Sequence, residues 1–426
     1  MQKTANPAQS SRKAKRGRFK KLFASVKKNR LGKGLMRHFE WPLVLIVLAL
    51  SLFGVLSIYA ATGTPVEEGV NYTFLEMLQI QPFTYARLQL IWMVVGGIAL
   101  LATIFLDYEI FGDLKSVLYW GNIALLVAVK LMTEAGRGGM NGWFAWGEGR
   151  TFQPAELGKI AIIIALAKLF ADRDKPITRL GELFRVACYV GLPLFLIVIQ
   201  PDVGTALVYV AIFAGLLFAS GTDYKIIIGI LCVAVLLIVP AWYIMETSDS
   251  FRVDRIQVWL DPTYDTNGAG MQTTNARIAL GSGGLWGKGL FAEGNFAALN
   301  YIPDDHTDFI FAIVGETFGL VGAAAMVFMF LLLLVRMMML SLRAQDAFGS
   351  YIIIGVMSMM LFHIFENVAM VIGLMPVTGI PLPFVSYGGS NYLTNIIGVG
   401  LVVNVAMRSR AGQAHVLKPT VRTVKL

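Results

Sequence analysis

The stretch WPLVLIVLALSLFGVLSIYAA, Trp41–Ala61, decides the fold class, because it carries no charged residue from end to end. A helix needs about 20 mostly apolar residues to cross roughly 30 Å of hydrocarbon, and this stretch meets that length. Outward from it, further apolar runs recur along the chain at 88–106, 117–132, 157–170, 184–199, 203–219, 226–245, 309–335, 351–375 and 392–407. The expectation is an all-α polytopic membrane protein of about ten transmembrane helices. Composition agrees: 56% of the 426 residues are hydrophobic and 15% charged, whereas soluble domains carry about 25% charged residues. The mean hydropathy is +0.65.

Charge sets the expected orientation. Much of the net +9 sits in the first 37 residues, where Lys and Arg outnumber acids heavily. A basic stretch directly before a membrane segment reads as an anchor on anionic lipid at the cytoplasmic face, and nucleic acid is not expected as a partner. No small-residue cleavage site follows it, so no removed signal peptide is expected. Segments 168–179, 336–343 and 408–425 are net positive, while 375–389 has no charge, which places both termini inside. The acidic 107–115 turn departs from that pattern. The chain therefore divides into a basic tail (1–40), a membrane domain (41–408) and a second cytoplasmic tail (409–426). Cys188 and Cys232 lie in apolar runs and read as packing residues rather than a disulfide.

One loop stands apart. Residues 246–305, between spans seven and eight, form a glycine-rich extracellular loop with Arg252, Arg255, Arg277 and Lys288 among its cations. Loops this long inside a compact domain usually bind or cover something. Within it, Gly281–Gly289 resembles a phosphate loop, but Ser282 stands where glycine is required and Gly289 where Ser or Thr is required. It is not one.

Ionisable groups inside spans are costly, so each is a functional candidate. Glu156 and Lys159 are three residues apart on one helical face, either a structural ion pair or part of a site. His363, Glu366 and Asn367 also share a face, as an interhelical polar network rather than the di-metal bundle that needs more carboxylates. Asp202 is expected to cap the next helix. Asp308 stands where the long loop enters the eighth span. A helix dipole, with Asp305 as cap, would lower its pKa, whereas Phe309 and Phe311 would desolvate it and raise the pKa towards that of a general base. Both readings stay open from sequence. No Ser/His/Asp constellation or zinc pattern accompanies it, so no cofactor is expected, and a divalent cation is left open.

Several ordered motifs carry a resemblance to a known family. They are FQPAELGK (Phe152–Lys159), QPDVGT (Gln200–Thr205), GSGG (Gly281–Gly284), HTDFIF (His306–Phe311) and MPVTGIPLPFVSYGGS (Met375–Ser390). Together they resemble the SEDS (shape, elongation, division and sporulation) family, the RodA/FtsW group of bacterial cell-wall polymerases, from about Glu40 to Arg408. The last motif and the run before Asp304 look closer to the RodA, elongation branch. The chain departs from the family pattern at Asn141–Trp143, at Asn275-Ala276 and at Ser390-Asn391.

The resemblance implies a glycosyltransferase that polymerises lipid II on the outer face of the cytoplasmic membrane. It marks Asp308 as catalytic and Glu156, Lys159, Arg252, Arg255, His306, Ser386 and Ser390 as substrate contacts. Direct displacement would invert the anomeric centre. It also implies a class B penicillin-binding protein transpeptidase as partner, for which spans eight and nine, with Gly322, Ala323–Ala325 and their methionines, offer a docking face. The rival readings are a lipid II flippase, a scaffold that only activates a partner, or a division or sporulation paralogue of the polymerase.

Overall fold

The structure is a computed structural model and describes residues 38–64, 76, 81–132, 142–145, 151–230, 232, 251–261, 264, 268–292, 294–297, 299 and 301–416. In chain order its helices are α1 (Trp41–Ala61), α2 (Thr84–Phe105), α3 (Tyr108–Asp113), α4 (Lys115–Met132), α5 (Pro154–Ala171), α6 (Leu180–Ile199), α7 (Val203–Ala219), α8 (Phe251–Leu260), α9 (Ala269–Ser282), α10 (Ile310–Leu342), α11 (Ala347–Val371) and α12 (Gly389–Val416). Before α5, β1 (Phe144–Ala145) pairs antiparallel with β2 (Thr151–Phe152), Phe144 opposite Phe152.

Among the described residues, 7 helices are long and apolar enough to cross a bilayer: α1, α2, α4, α6, α10, α11 and α12 over Gly389–Arg410. The apolar run of α5 is interrupted by Glu156, Lys159 and Lys168, and α7 is a shorter apolar helix. The expected span 226–245 begins within a helix at 224–230, and most of it lies outside the described residues.

Unlike a soluble protein, the bundle exposes large apolar side chains and sets charged and amide groups within an otherwise apolar core. Leu45, Leu48 and Leu52 of α1, Val94 and Ile98 of α2, and Phe328 and Leu331 of α10 are exposed, whereas Glu156, Lys159, His363, Glu366, Asn367, Asn391 and Asn395 are buried. Lipid is as apolar as leucine, so helices gain nothing by hiding apolar side chains from it. They associate instead through packing and internal hydrogen bonds. At the centre stand α5, α11 and α12, each in contact with the other two; α7 and α10 flank α11, α2 packs on α12, and α1 bridges α2 and α10. Cys188 and Cys232 are free and exposed, which corrects the reading of them as packing residues.

Ion pairs gather helix ends at one pole of the bundle. Glu40 pairs with Arg336 and Arg410, Asp107 with Arg408, and Asp172 with Lys115 and Lys168. These join the start of α1, the end of α2, the start of α4 and the ends of α5, α10 and α12. An alternating up-down course puts those ends on the same side.

At the other pole the glycine run of the long loop has a structural use. Gly319 breaks α10 with φ 67 and ψ −169, a conformation that an L side chain rarely adopts. The break leaves backbone groups without their helical partners, and the loop supplies replacements. Leu320 N donates to Gly284 O at 2.9 Å and Val321 N to Leu285 O at 3.2 Å, while Lys288 N donates to Glu316 O at 2.9 Å and Gly289 N to Thr317 O at 3.1 Å. A side chain at Gly287 would collide with the Thr317 carbonyl, so this close approach needs glycine. Buried Glu316 completes the joint, pairing with Lys288 at 2.9 Å and accepting from Phe296 N at 2.9 Å.

Candidate active site

Asp308 lies in the turn that ends the long loop, just before α10 begins at Ile310. The cap residue of α10 is Phe309, with no side-chain cap bond, so Asp305 is not the cap. Asp305 instead faces the His306 Nδ1 at 3.4 Å. Phe309 and Phe311 are both buried, and desolvation wins the contest left open by the sequence: loss of water is the largest influence on Asp308 and raises its carboxyl to about 6. Arg255 of α8 pulls the other way, Asp304 adds to the rise, and His306 and Thr307 lower it.

The neighbours of Asp308 are held by a four-residue loop. Arg255 Nη1 donates to Val377 O at 3.1 Å; Thr378 Oγ1 donates to the Glu366 carboxylate; a side chain at Gly379 would begin 3.3 Å from Asp308 Oδ2. Asn367 Nδ2 then ties the loop to the Asp308 turn, donating at 2.8 Å both to Ile380 O and to Asp308 O. The two motifs HTDFIF and MPVTGIPLPFVSYGGS, far apart in sequence, thus meet on one face of α11. Arg252 also lies on α8, and its side chain lies outside the described residues.

His306 stands at the outer edge. Its ring packs on Tyr85 of α2 (centroids 4.4 Å apart) and on Tyr387 (5.7 Å), and Tyr387 N donates to His306 O at 2.9 Å. Ser386 and Ser390 turn inward rather than towards this edge. Ser386 Oγ accepts from Leu382 N at 2.8 Å and closes the turn containing Phe384, whose φ is 66. Ser390 Oγ accepts from Gln153 N at 3.1 Å and ties the start of α12 to the start of α5. Both serines are buried and bonded to backbone.

Behind the loop runs a buried polar chain. Lys159 Nζ donates to Glu156 Oε1 at 2.6 Å and lies 3.1 Å from His363 Nε2. Asn391 Nδ2 donates to Glu156 Oε2 at 3.3 Å, and Asn395 Nδ2 donates back to Asn391 O at 2.9 Å. With Lys159 only 1% exposed, the pair is a satisfied network in this conformation, locked to α11 and α12. Asp202 caps α7 as expected, accepting from Thr205 N at 3.0 Å, and its other oxygen accepts from Gln153 Nε2 at 2.6 Å. In the sequence Glu366 belongs to the polar face it shares with His363 and Asn367, and nothing local to it points to the Asp308 turn. The signal was present, a carboxylate in an apolar span, but its partner Thr378 belongs to another motif.

Comparison with known proteins places the chain. Residues 41–411 match the family described as Cell cycle protein, FtsW/RodA/SpoVE. The chain belongs to this family. It is 32% identical to the probable peptidoglycan glycosyltransferase FtsW of Geobacter sp. (strain M18), over 88% of this chain and 99% of that protein. It is 32% identical to the peptidoglycan glycosyltransferase MrdB of Escherichia coli (strain K12), over 86% and 93% of the two chains. It is 33% identical to stage V sporulation protein E of Bacillus subtilis (strain 168), over 86% and 97%. Among solved structures, one described as "Structural coordination of polymerization and crosslinking by a peptidoglycan synthase complex" has a TM-score of 0.70 at 25% identity, covering 87% of this chain and 98% of that one. Thermus thermophilus rod shape determining protein RodA, in a mutant form, has a TM-score of 0.61 at 25% identity, covering 86% and 97%.

Proposed function

We propose that this SEDS-family protein polymerises lipid II into glycan strands on the outer face of the cytoplasmic membrane, with both termini inside, and that Asp308 is its general base. The observation that carries the reading is the placement of Asp308, half-buried in the turn before α10 and tied by Asn367 to the loop that Arg255 also holds, with burial raising its carboxyl to about 6. A base poised near the working pH is present as the anion yet still basic enough to take a proton. In the step, the acceptor 4-hydroxyl of lipid II loses its proton to Asp308 as its oxygen bonds the anomeric carbon of the growing strand. The anomeric C–O bond breaks, and its electrons leave with the lipid pyrophosphate. Displacement from the opposite face inverts an α-linked donor to a β-linked product. Arg255 faces the developing negative charge; Arg252, on the same helix, and His306, at the outer edge, are assigned to holding the substrate. Glu156, Lys159, Ser386 and Ser390 act from behind, fixing the loop and helix starts that carry the reacting groups.

The wording of the 375–390 motif favours the elongation branch, with division and sporulation roles as the alternatives. Relatives named FtsW, MrdB and SpoVE stand at 32%, 32% and 33% identity, so identity does not separate them. A class B penicillin-binding protein is the proposed partner, supported by the likeness to a synthase complex described as coordinating polymerisation and crosslinking. The docking face needs narrowing. Met326, Met337, Met359 and Met360 are buried in the core, leaving Met338, Met339, Ala325 and Phe328 to face outward.

A flippase is the second reading, favoured by the buried Glu156–Lys159–His363 chain, since charges inside a bundle also mark transport routes. Purified protein supplied with lipid II in detergent decides between them. Length-resolved glycan supports the polymerase. Absence of polymer together with lipid transfer across vesicle membranes overturns it in favour of the flippase.

A further inference from the structure

Gln89 of α2 is a fully buried amide, 0% exposed, and neither its Oε1 nor its Nε2 has a hydrogen-bond partner among the described residues. An amide inside a bundle is costly unless both its ends are bonded. Deeper in the seam between α2 and α12, where Gly96 faces Tyr392, the polar groups are paired: Tyr392 shares a hydrogen bond with Ser51 at 3.2 Å. Neighbours on the same face of α2 fix the setting of Gln89. Tyr85, one turn before it, packs on His306, two residues before Asp308 (centroids 4.4 Å apart), and edge-on to Tyr387 (5.1 Å). Trp92, one turn after it, lies so close to Gly389 that a side chain there would collide with the indole. Gln89 therefore runs alongside 387–389, the segment that leads into α12. Side chains of a helix lean towards its N-terminus, which directs the amide outward, to the level of the three rings. In the facing segment a side chain at Gly388 would meet nothing nearer than Asn391 Cβ, at 3.7 Å, so there is room beside it. Tyr85, at the outer edge, is 39% exposed.

We propose that Gln89 and the rings of Tyr85, His306 and Tyr387 form the subsite for the N-acetylated sugar that offers its 4-hydroxyl to Asp308. The chemistry follows from what is unpaired. A carboxamide missing both a donor and an acceptor fits a second amide, whose carbonyl accepts from Nε2 while its N–H donates to Oε1. The acetamido group of a lipid II sugar is such an amide. The aromatic edge suits the same ligand, since the weakly positive C–H groups of a pyranose ring dock on the negative face of an aromatic ring. In this conformation the amide is covered, and rotation of the exposed Tyr85 ring opens the way to it. The rival reading makes the rings an interfacial belt and the amide a packing residue.

The subsite rests on the polymerase reading, so binding and synthesis are measured separately, on purified protein in nanodiscs. The probes are lipid II and an analogue whose acceptor sugar bears a hydroxyl in place of the acetamido group. Wild-type protein is expected to bind lipid II about tenfold to a hundredfold more tightly than the analogue, through two hydrogen bonds. The same ratio is expected in kcat/KM for polymerisation. In Gln89→Leu the ratio is expected to fall to about one, with a thermal midpoint equal to wild type or higher, because an apolar side chain relieves the unpaired amide. A packing role predicts the opposite, a lower midpoint with the preference kept. Tyr85→Leu is expected to raise KM about tenfold for both lipids, and Tyr85→Phe, which keeps the ring, to restore it. Equal binding of the two lipids by the wild type overturns the subsite. So does a preference that survives in Gln89→Leu, or a Gln89→Leu chain that fails to fold. Polymer made equally well from both lipids leaves the polymerase reading standing without the subsite. A binding preference that Gln89→Leu abolishes, with no polymer from the wild type, leaves the subsite standing without the polymerase.

Discussion

Asp308 is one carboxylate among several at the mouth of the bundle, and its surroundings distinguish it. Asp304, four residues earlier, is exposed, whereas Asp308 is flanked by buried Phe309 and Phe311 and faced by Arg255. Asp308→Asn keeps the shape and removes the base, so polymerisation in a purified assay should fall by about 10²–10⁴-fold with insertion and thermal midpoint unchanged. Near-normal turnover would remove Asp308 from the chemistry. The sign of the pH dependence follows from burial. A base must be ionised to act; with its carboxyl raised to about 6, activity should be lost as pH falls through about 6. An acid limb near the ordinary carboxylate range, about 4, would show that the site is wetter than its packing implies. Arg255→Glu should give a graded loss that grows at low lipid II concentration if the arginine holds substrate and stabilises the leaving group as proposed; unchanged kinetics would remove it from the site.

At the scale of elements, the unusual feature is α10, a 33-residue helix broken at Gly319 and repaired by the loop beside it. Its N-terminal segment follows directly on the Asp308 turn, so whatever sets the break also sets the direction of that turn. Glu316 holds the loop by charge and by backbone bonds; Lys288 is partly exposed, so the larger loss on removing Glu316 is that of the backbone donors it satisfies, about 1–3 kcal/mol for each one left unpaired. Glu316→Leu should therefore detach the 283–297 segment, read as faster proteolysis of the outer loop in intact vesicles and a lower thermal midpoint. Equal protease resistance in the variant and wild type would mean that the glycine contacts alone hold the loop. Gly287→Ala probes those contacts separately, as the added carbon would meet the Thr317 carbonyl.

Across the whole molecule, charged and amide groups are set into an apolar core on the central helices, charged pairs gather at helix ends, and the rim is apolar, as expected for a bundle dissolved in lipid. The pole bearing Glu40, Asp107, Asp172, Arg336 and Arg410 is expected inside the cell, and the pole bearing Asp308 outside. Cysteine labelling checks this. In a background lacking Cys188 and Cys232, Asp304→Cys should react with a membrane-impermeant reagent in intact cells, and Arg343→Cys only after permeabilisation. Both positions are exposed, so access reports side rather than burial. The reverse pattern would put Asp308 on the wrong side for a polymerase of the outer leaflet.

How much was legible beforehand divides along a physical line. Length and apolarity of a run are local properties, so spans such as Trp41–Ala61 and 351–375 were readable directly, and the cap role of Asp202 followed from its place before α7. The motifs, each a contiguous string, identified the family and pointed to Asp308. Only the tertiary structure decided which groups meet. Arg255, Glu366 and Asp308 lie on three different segments and converge because Val377–Ile380 passes between them. The desolvation that decided the fate of Asp308 belongs to that convergence, since it depends on how much protein, rather than water, surrounds one carboxylate. Composition cannot report that, because the solvation of a charge depends on every atom near it, and those atoms come from helices far apart in the chain.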